Sequence, residues 1–66
     1  MNITVNGKPY ELAKPVTVQE LAEMLALALT QIAIELNREI VPRSRYGNTM
    51  LNAGDTVEIV TFIGGG

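Results

Sequence analysis

Apolar and polar residues alternate near the start of the chain, and this period of two indicates strands. Ile3 and Val5 alternate with polar neighbours, as in a half-buried strand. The next dipeptide, Asn6-Gly7, is typical of a two-residue hairpin turn. We expect the returning strand over residues 10–12, with Pro9 at its start, where a missing N–H is tolerated.

The pattern then changes to helical spacing. Thr17 and Glu20 have the spacing of a capping box, in which each side chain satisfies the other residue's free backbone donor. The apolar side chains that would form the core-facing stripe of this helix are Val18, Leu21, Ala22, Leu25 and Leu29. Residues 26–29 are good helix formers and no glycine marks where the helix stops. We place its end near Leu27 and expect one main helix over residues 17–27.

Period two returns in the second half of the chain. Residues 32–36 alternate as a strand, residues 37–39 make a turn in which Asn37 tolerates a left-handed conformation, and residues 40–41 form a short return strand that ends at a proline. After a polar connector with one aromatic anchor, Tyr46, we expect a brief edge strand over residues 48–51.

A turn in which Gly54 supplies a positive φ then leads into a last strand over residues 56–63. We expect this strand to pair beside the first one, in the centre of the sheet. One helix packed on a mixed sheet of four to five strands is the ubiquitin-like β-grasp arrangement, a two-layer α+β fold. Residues 1–63 would form this domain, and residues 64–66 a flexible glycine tail.

The tail consists of Gly64, Gly65 and Gly66. Glycine orders at a high entropic cost, so a run of three does not stabilise a fold. A chain of glycines is thin enough to thread a narrow partner site, and the acyl carbon of Gly66 is unhindered if its carboxylate is activated. The alternative is a frayed terminus without a role.

The last strand carries an exception to the rule that the open face of a sheet is polar. Val57 and Ile59 share the face that suits the core, whereas Glu58, Val60 and Phe62 share the other. Two large apolar groups beside the terminus predict a partner-binding patch, although single exposed apolar residues are common on folded proteins.

Composition excludes several functions. The 66 residues suffice for one domain, and the net charge of −2 argues against nucleic-acid binding, which needs clustered Lys and Arg. With neither Cys nor His in the chain, we expect no catalytic side chains and no metal site. No apolar run is long enough to cross a membrane, so a soluble cytoplasmic protein is expected.

Five segments together resemble the ThiS family of sulfur carriers of thiamine biosynthesis. They are IAIELN at 32–37, IVPR at 40–43, LNAGD at 51–55, VEI at 57–59 and FIGGG at 62–66. The resemblance covers nearly the whole chain. It departs at Tyr46, where the family commonly has Trp, and at Gly47, where a larger residue is usual.

This resemblance implies a carrier rather than an enzyme. An E1-like adenylyltransferase (ThiF-type) would use ATP and Mg²⁺ to adenylate the Gly66 carboxylate, with no cofactor bound by the carrier itself. A persulfide, ultimately from a cysteine desulfurase, would displace AMP and leave a thiocarboxylate. A thiazole synthase (ThiG-type) would then take the sulfur.

Three alternatives remain open from the sequence. The small subunit of molybdopterin synthase resembles this fold and tail but is usually longer. A TGS-type β-grasp module, with a regulatory or nucleic-acid-binding role, needs no terminal glycines. A protein that is conjugated through its C-terminus would share the adenylation step and differ only in the acceptor.

Overall fold

The computed structural model describes residues 1–62 and shows a five-stranded mixed sheet packed on one α-helix. The elements in chain order are β1 (Asn2–Val5), β2 (Lys8–Glu11), α1 (Val18–Met24), β3 (Ile32–Leu36), β4 (Glu39–Val41) and β5 (Thr56–Thr61), with single 3₁₀ turns at Leu29–Gln31 and Arg43–Arg45. The predicted β-grasp arrangement is confirmed.

The sheet has the strand order β2-β1-β5-β3-β4, so β5 lies in its centre. Its pairing with β1 is parallel and its pairing with β3 is antiparallel. The expected position of the last strand beside the first is therefore confirmed. The first two residues of β5 pair with β1, whereas its last residues, from which the chain continues towards Gly66, pair with β3 alone.

The capping box at the start of α1 is present as predicted. The backbone N–H of Glu20 donates to the Thr17 hydroxyl at 3.0 Å, and the Thr17 N–H donates to the Glu20 carboxylate at 2.8 Å. These bonds satisfy two backbone donors that a helix N-terminus otherwise leaves free.

The prediction that the helix runs to residue 27 is wrong, because α1 ends at Met24. Ala26 adopts a left-handed conformation with φ 59°. The N–H of Ala26 donates to the Glu23 carbonyl at 3.0 Å, and that of Leu27 donates to the Ala22 carbonyl at 2.9 Å. These are the two bonds of a Schellman motif, whose left-handed position is usually glycine.

Several predicted strand boundaries also need correction. Strand β2 begins at Lys8 and contains Pro9, which is tolerated because β2 is an edge strand. Strand β4 begins at Glu39, so the preceding turn is the dipeptide Asn37-Arg38. Residues 48–51 form one isolated bridge, between Met50 and Thr17, instead of a strand.

The core lies between α1 and one face of the sheet. Its largest fully buried side chains are Leu12, Leu21, Ile34, Leu51, Val18 and Val57. Tyr46 is also buried, which confirms its predicted role as the aromatic anchor of the connector. Within residues 1–62, no helix is long and apolar enough to cross a membrane.

Candidate functional site

Strand β5 separates a buried row of side chains from an exposed one. Val57 and Ile59 are buried against the helix, whereas Glu58 lies on the open face. Val60 on that face is 58% exposed, and Phe62, directly after the end of the strand, is 54% exposed. The predicted exposure of these side chains is confirmed, and their binding of a partner stays a prediction.

The strand register adds further residues to this face. Residues that lie directly opposite each other in antiparallel strands point to the same side of the sheet. Glu35 lies opposite Glu58, and Ala33 lies opposite Val60. On the other side of β3, Ile40 lies opposite Glu35 and is 74% exposed.

We call this surface the open-face patch. It consists of Ala33, Glu35, Ile40, Glu58, Val60 and Phe62. Sequence reasoning identified the residues on β5 and missed those on β3 and β4. The signal was available in β3, since Ala33 and Glu35 alternate with the buried Ile32 and Ile34.

The open-face patch carries two adjacent carboxylates, those of Glu35 and Glu58. Like charges directly opposite each other on a sheet repel. In the described part of the chain, the one salt bridge joins the Met1 amino group to Glu11 at the end of the edge strand β2, 2.9 Å apart and away from the patch. The patch is thus acidic with an apolar surround, and it is complementary to a basic partner surface with apolar contacts.

A groove lies between Phe62 and the segment that follows the C-terminal end of α1. It has a volume of about 430 Å³. Its lining residues are Ala26, Leu27, Ala28, Gln31, Ile32, Thr61 and Phe62. The N–H of Phe62 donates to the Gln31 carbonyl at 2.7 Å, which holds the end of the strand against the start of β3.

The predicted tail lies outside the described residues. The acyl position at Gly66, the threading positions Gly64 and Gly65, and the domain boundary at residue 63 therefore stay predictions. Within residues 1–62, no three Asp or Glu side chains are grouped as a metal site would require.

Several known proteins are similar to this chain. The sequence model of the ThiS family matches residues 3–66. The sulfur carrier protein ThiS of Bacillus subtilis is 35% identical over 65 residues, which is 97% of this chain and 98% of that protein. The crystal structure of a thiamine biosynthesis protein (ThiS) from Geobacter metallireducens superposes with a TM-score of 0.85, at 40% identity and with 100% of both chains covered.

A much longer relative is also similar to this chain. The thiazole synthase of Paramagnetospirillum magneticum is 41% identical over 66 residues, which is 100% of this chain. The chain spans only 20% of the length of that enzyme. A domain like this one is therefore present within a protein named for thiazole synthesis.

Proposed function

This chain belongs to the ThiS family, and from that premise we propose that it is a sulfur carrier for thiazole formation in thiamine biosynthesis. The observation that carries the proposal is the family match over residues 3–66, which includes the terminal glycines. The sulfur carrier proteins of Bacillus subtilis and Escherichia coli match over nearly the same span. In this proposal the carrier is a substrate of other enzymes.

Loading begins with activation of the Gly66 carboxylate. A carboxylate is a poor electrophile, because its charge repels nucleophiles and its oxygen is a poor leaving group. A carboxylate oxygen attacks the α-phosphorus of ATP, pyrophosphate leaves, and the product is an acyl adenylate. Mg²⁺ and basic residues of an E1-like adenylyltransferase would stabilise the charge that develops on the phosphates.

Sulfur then replaces AMP. A persulfide sulfur attacks the acyl carbon and AMP leaves, and a thiol then reduces the acyl disulfide and releases the thiocarboxylate. The persulfide and the thiol both come from partner proteins, since the chain contains no cysteine. A cysteine desulfurase is the proposed source of the persulfide, in the cytoplasm.

A thiazole synthase is the proposed acceptor of the sulfur. The similarity to part of the thiazole synthase of Paramagnetospirillum magneticum supports this partner, because one chain there holds a domain like this carrier. The thiocarboxylate is a soft nucleophile that attacks the carbon skeleton of the thiazole precursor. We propose that the open-face patch is the surface on which these partners dock.

Intact-mass spectrometry tests the loading step. After incubation with the E1-like partner, MgATP and a persulfide source, the mass should rise by the difference between one sulfur and one oxygen atom. Alkylation should place that sulfur on Gly66. A Gly65→Trp variant should fold normally and load poorly, because a bulky side chain blocks threading.

The matched control is a chain that lacks Gly66. It should show no ATP-dependent adduct, because its carboxylate ends one residue short of the reacting position. Equal loading of the shortened and complete chains, or no adduct on the complete chain, would contradict the proposal.

A further inference from the structure

Asn6 does more than form the first hairpin turn, because its side chain binds the backbone of β5. The Ile59 N–H donates to Asn6 Oδ1 at 2.7 Å, and Asn6 Nδ2 donates to the Ile59 carbonyl at 3.1 Å. The two residues are 53 positions apart in the chain. One primary amide thus satisfies both backbone groups of a residue in the central strand.

These two bonds extend the parallel hydrogen-bond ladder between β1 and β5 beyond the last backbone bond from β1. The N–H of Thr4 donates to Asp55 and that of Asn6 donates to Val57, both at 2.9 Å. In a parallel ladder that advances by two residues, the N–H of residue 8 would be next and would donate to Ile59. The chain has turned away by then, with φ 50° at Asn6 and 81° at Gly7, and the Asn6 amide takes that place.

Asn6 therefore makes the last hydrogen bonds to β5 on its β1 side, within residues 1–62. The remaining described residues are held from the other side. Val60 pairs with Ala33, Thr61 pairs with Ile32, and the N–H of Phe62 donates to Gln31. Without the Asn6 amide, the supported length of β5 on the β1 side would end at Val57, three residues before Val60.

We infer that Asn6 is a positioning residue for sulfur loading, an inference that rests on the proposed function. It fixes the backbone of β5 directly before Val60 and Phe62, and so sets the direction in which the chain leaves the domain towards Gly66. Because the same strand carries part of the open-face patch and leads into the tail, this direction sets where the tail begins relative to a partner that holds the patch. Misplacement by about 1 Å can cost a reaction as much as a hundredfold in rate.

Asn37 supplies a matched control. It occupies the same first position of the second hairpin turn, with φ 52°. Its side chain also makes two hydrogen bonds at β5, since Oδ1 accepts from the Thr56 N–H at 2.9 Å and Nδ2 donates to the Asp55 carboxylate at 3.0 Å. The backbone N–H of Asn37 donates to the Thr56 carbonyl at 2.8 Å and is kept when the side chain is removed. Thr56 is the first residue of β5, so loss of the Asn37 side chain disturbs the end of the strand far from Gly66.

The experiment compares Asn6→Gly with Asn37→Gly. Glycine adopts a positive φ without steric strain, so both turns are kept, and its entropic cost is common to the two variants. The variants then differ in which side-chain bonds are lost. We expect Asn6→Gly to lower kcat/KM for adenylation by about tenfold, and to increase hydrogen exchange at the Ile59 amide. Asn37→Gly should lose a similar amount of global stability, stay within about twofold of the wild type in kcat/KM, and keep the Ile59 amide protected.

Asn6→Asp is the second variant. It keeps the acceptor for the Ile59 N–H and replaces the donor by an oxygen that faces a carbonyl, so we expect a loss of kcat/KM similar to that of Asn6→Gly. If wild-type protein is loaded and the two glycine variants lose kcat/KM equally, Asn6 has only a structural role and the inference is wrong. If wild-type protein is not loaded at all, the proposed function itself fails.

Discussion

Replacement of Ala26 by glycine should stabilise the domain. Ala26 is exposed and lies at φ 59°, in the Schellman motif that ends α1. For an L-residue the left-handed conformation costs roughly 1–2 kcal/mol, because Cβ approaches the following carbonyl oxygen. Glycine at this position removes that cost and keeps both backbone hydrogen bonds.

The gain from Ala26→Gly is smaller than the strain it removes. Glycine also increases the conformational entropy of the unfolded chain, which costs roughly 0.4–1 kcal/mol. The difference is a net stabilisation between zero and about 1.6 kcal/mol, with a midpoint of about 0.8 kcal/mol. In a domain of this size, each 1 kcal/mol raises Tm by roughly 4–8 °C.

Urea unfolding followed by far-UV circular dichroism measures this change. The midpoint should rise while the slope of the free energy against urea stays the same, since the area buried on folding is unchanged. Ala28→Gly is the matched control, because Ala28 is exposed and has an ordinary extended backbone with φ −78°. It should lose roughly 0.4–1 kcal/mol. Equal destabilisation by the two substitutions would refute the left-handed conformation of Ala26.

Two further predictions concern the open-face patch. Phe62→Gln should weaken binding to the adenylating partner in a titration and change the free energy of unfolding by no more than about 0.5 kcal/mol. Met24→Gln is the control, since Met24 has nearly the same exposure (53% against 54%) but lies on the helix, and it should leave binding unchanged. A loss of about 3 kcal/mol in the stability of Phe62→Gln would instead place that ring in the core. Glu35→Gln should stabilise the domain by about 0.2–1 kcal/mol at low salt, because it removes the repulsion from Glu58. That gain should largely disappear at about 1 M salt, where the Debye length is near 3 Å, and a gain that salt does not change would rule out repulsion as its cause.

Features that depend on neighbours in sequence were predictable. The capping box needs only Thr17 and Glu20, three positions apart. The first hairpin turn needs only Asn6-Gly7, and the two faces of β5 follow from alternation between residues such as Val57 and Glu58. Each of these signals is local, so no knowledge of the tertiary structure was required.

The features that were missed depend on contacts between distant segments. Alternation within β3 indicates the face on which Glu35 lies. Its position opposite Glu58 and Ile40 follows only from the register of β3 with its two neighbours. The end of α1 has no glycine to mark it, because alanine occupies the left-handed position of the Schellman motif. The next residue, Leu27, packs against the core, a contact that the local sequence does not reveal. The second role of Asn6 joins residues 53 positions apart, and no local pattern contains it.

The proposed function depends both on features that are local in sequence and on features that join distant segments. The reacting group proposed at Gly66 was predicted from the sequence, because its chemistry needs only a terminal carboxylate on an unhindered residue. Delivery of that group to an active site is a property of the fold, since it requires a defined distance and direction from a docked surface. In this domain Val60 lies on β5 and Phe62 follows its last residue, so one segment of the chain holds part of the proposed docking surface and the starting point of the tail. A change in the support of β5 should therefore affect loading without any contact to the reacting atoms.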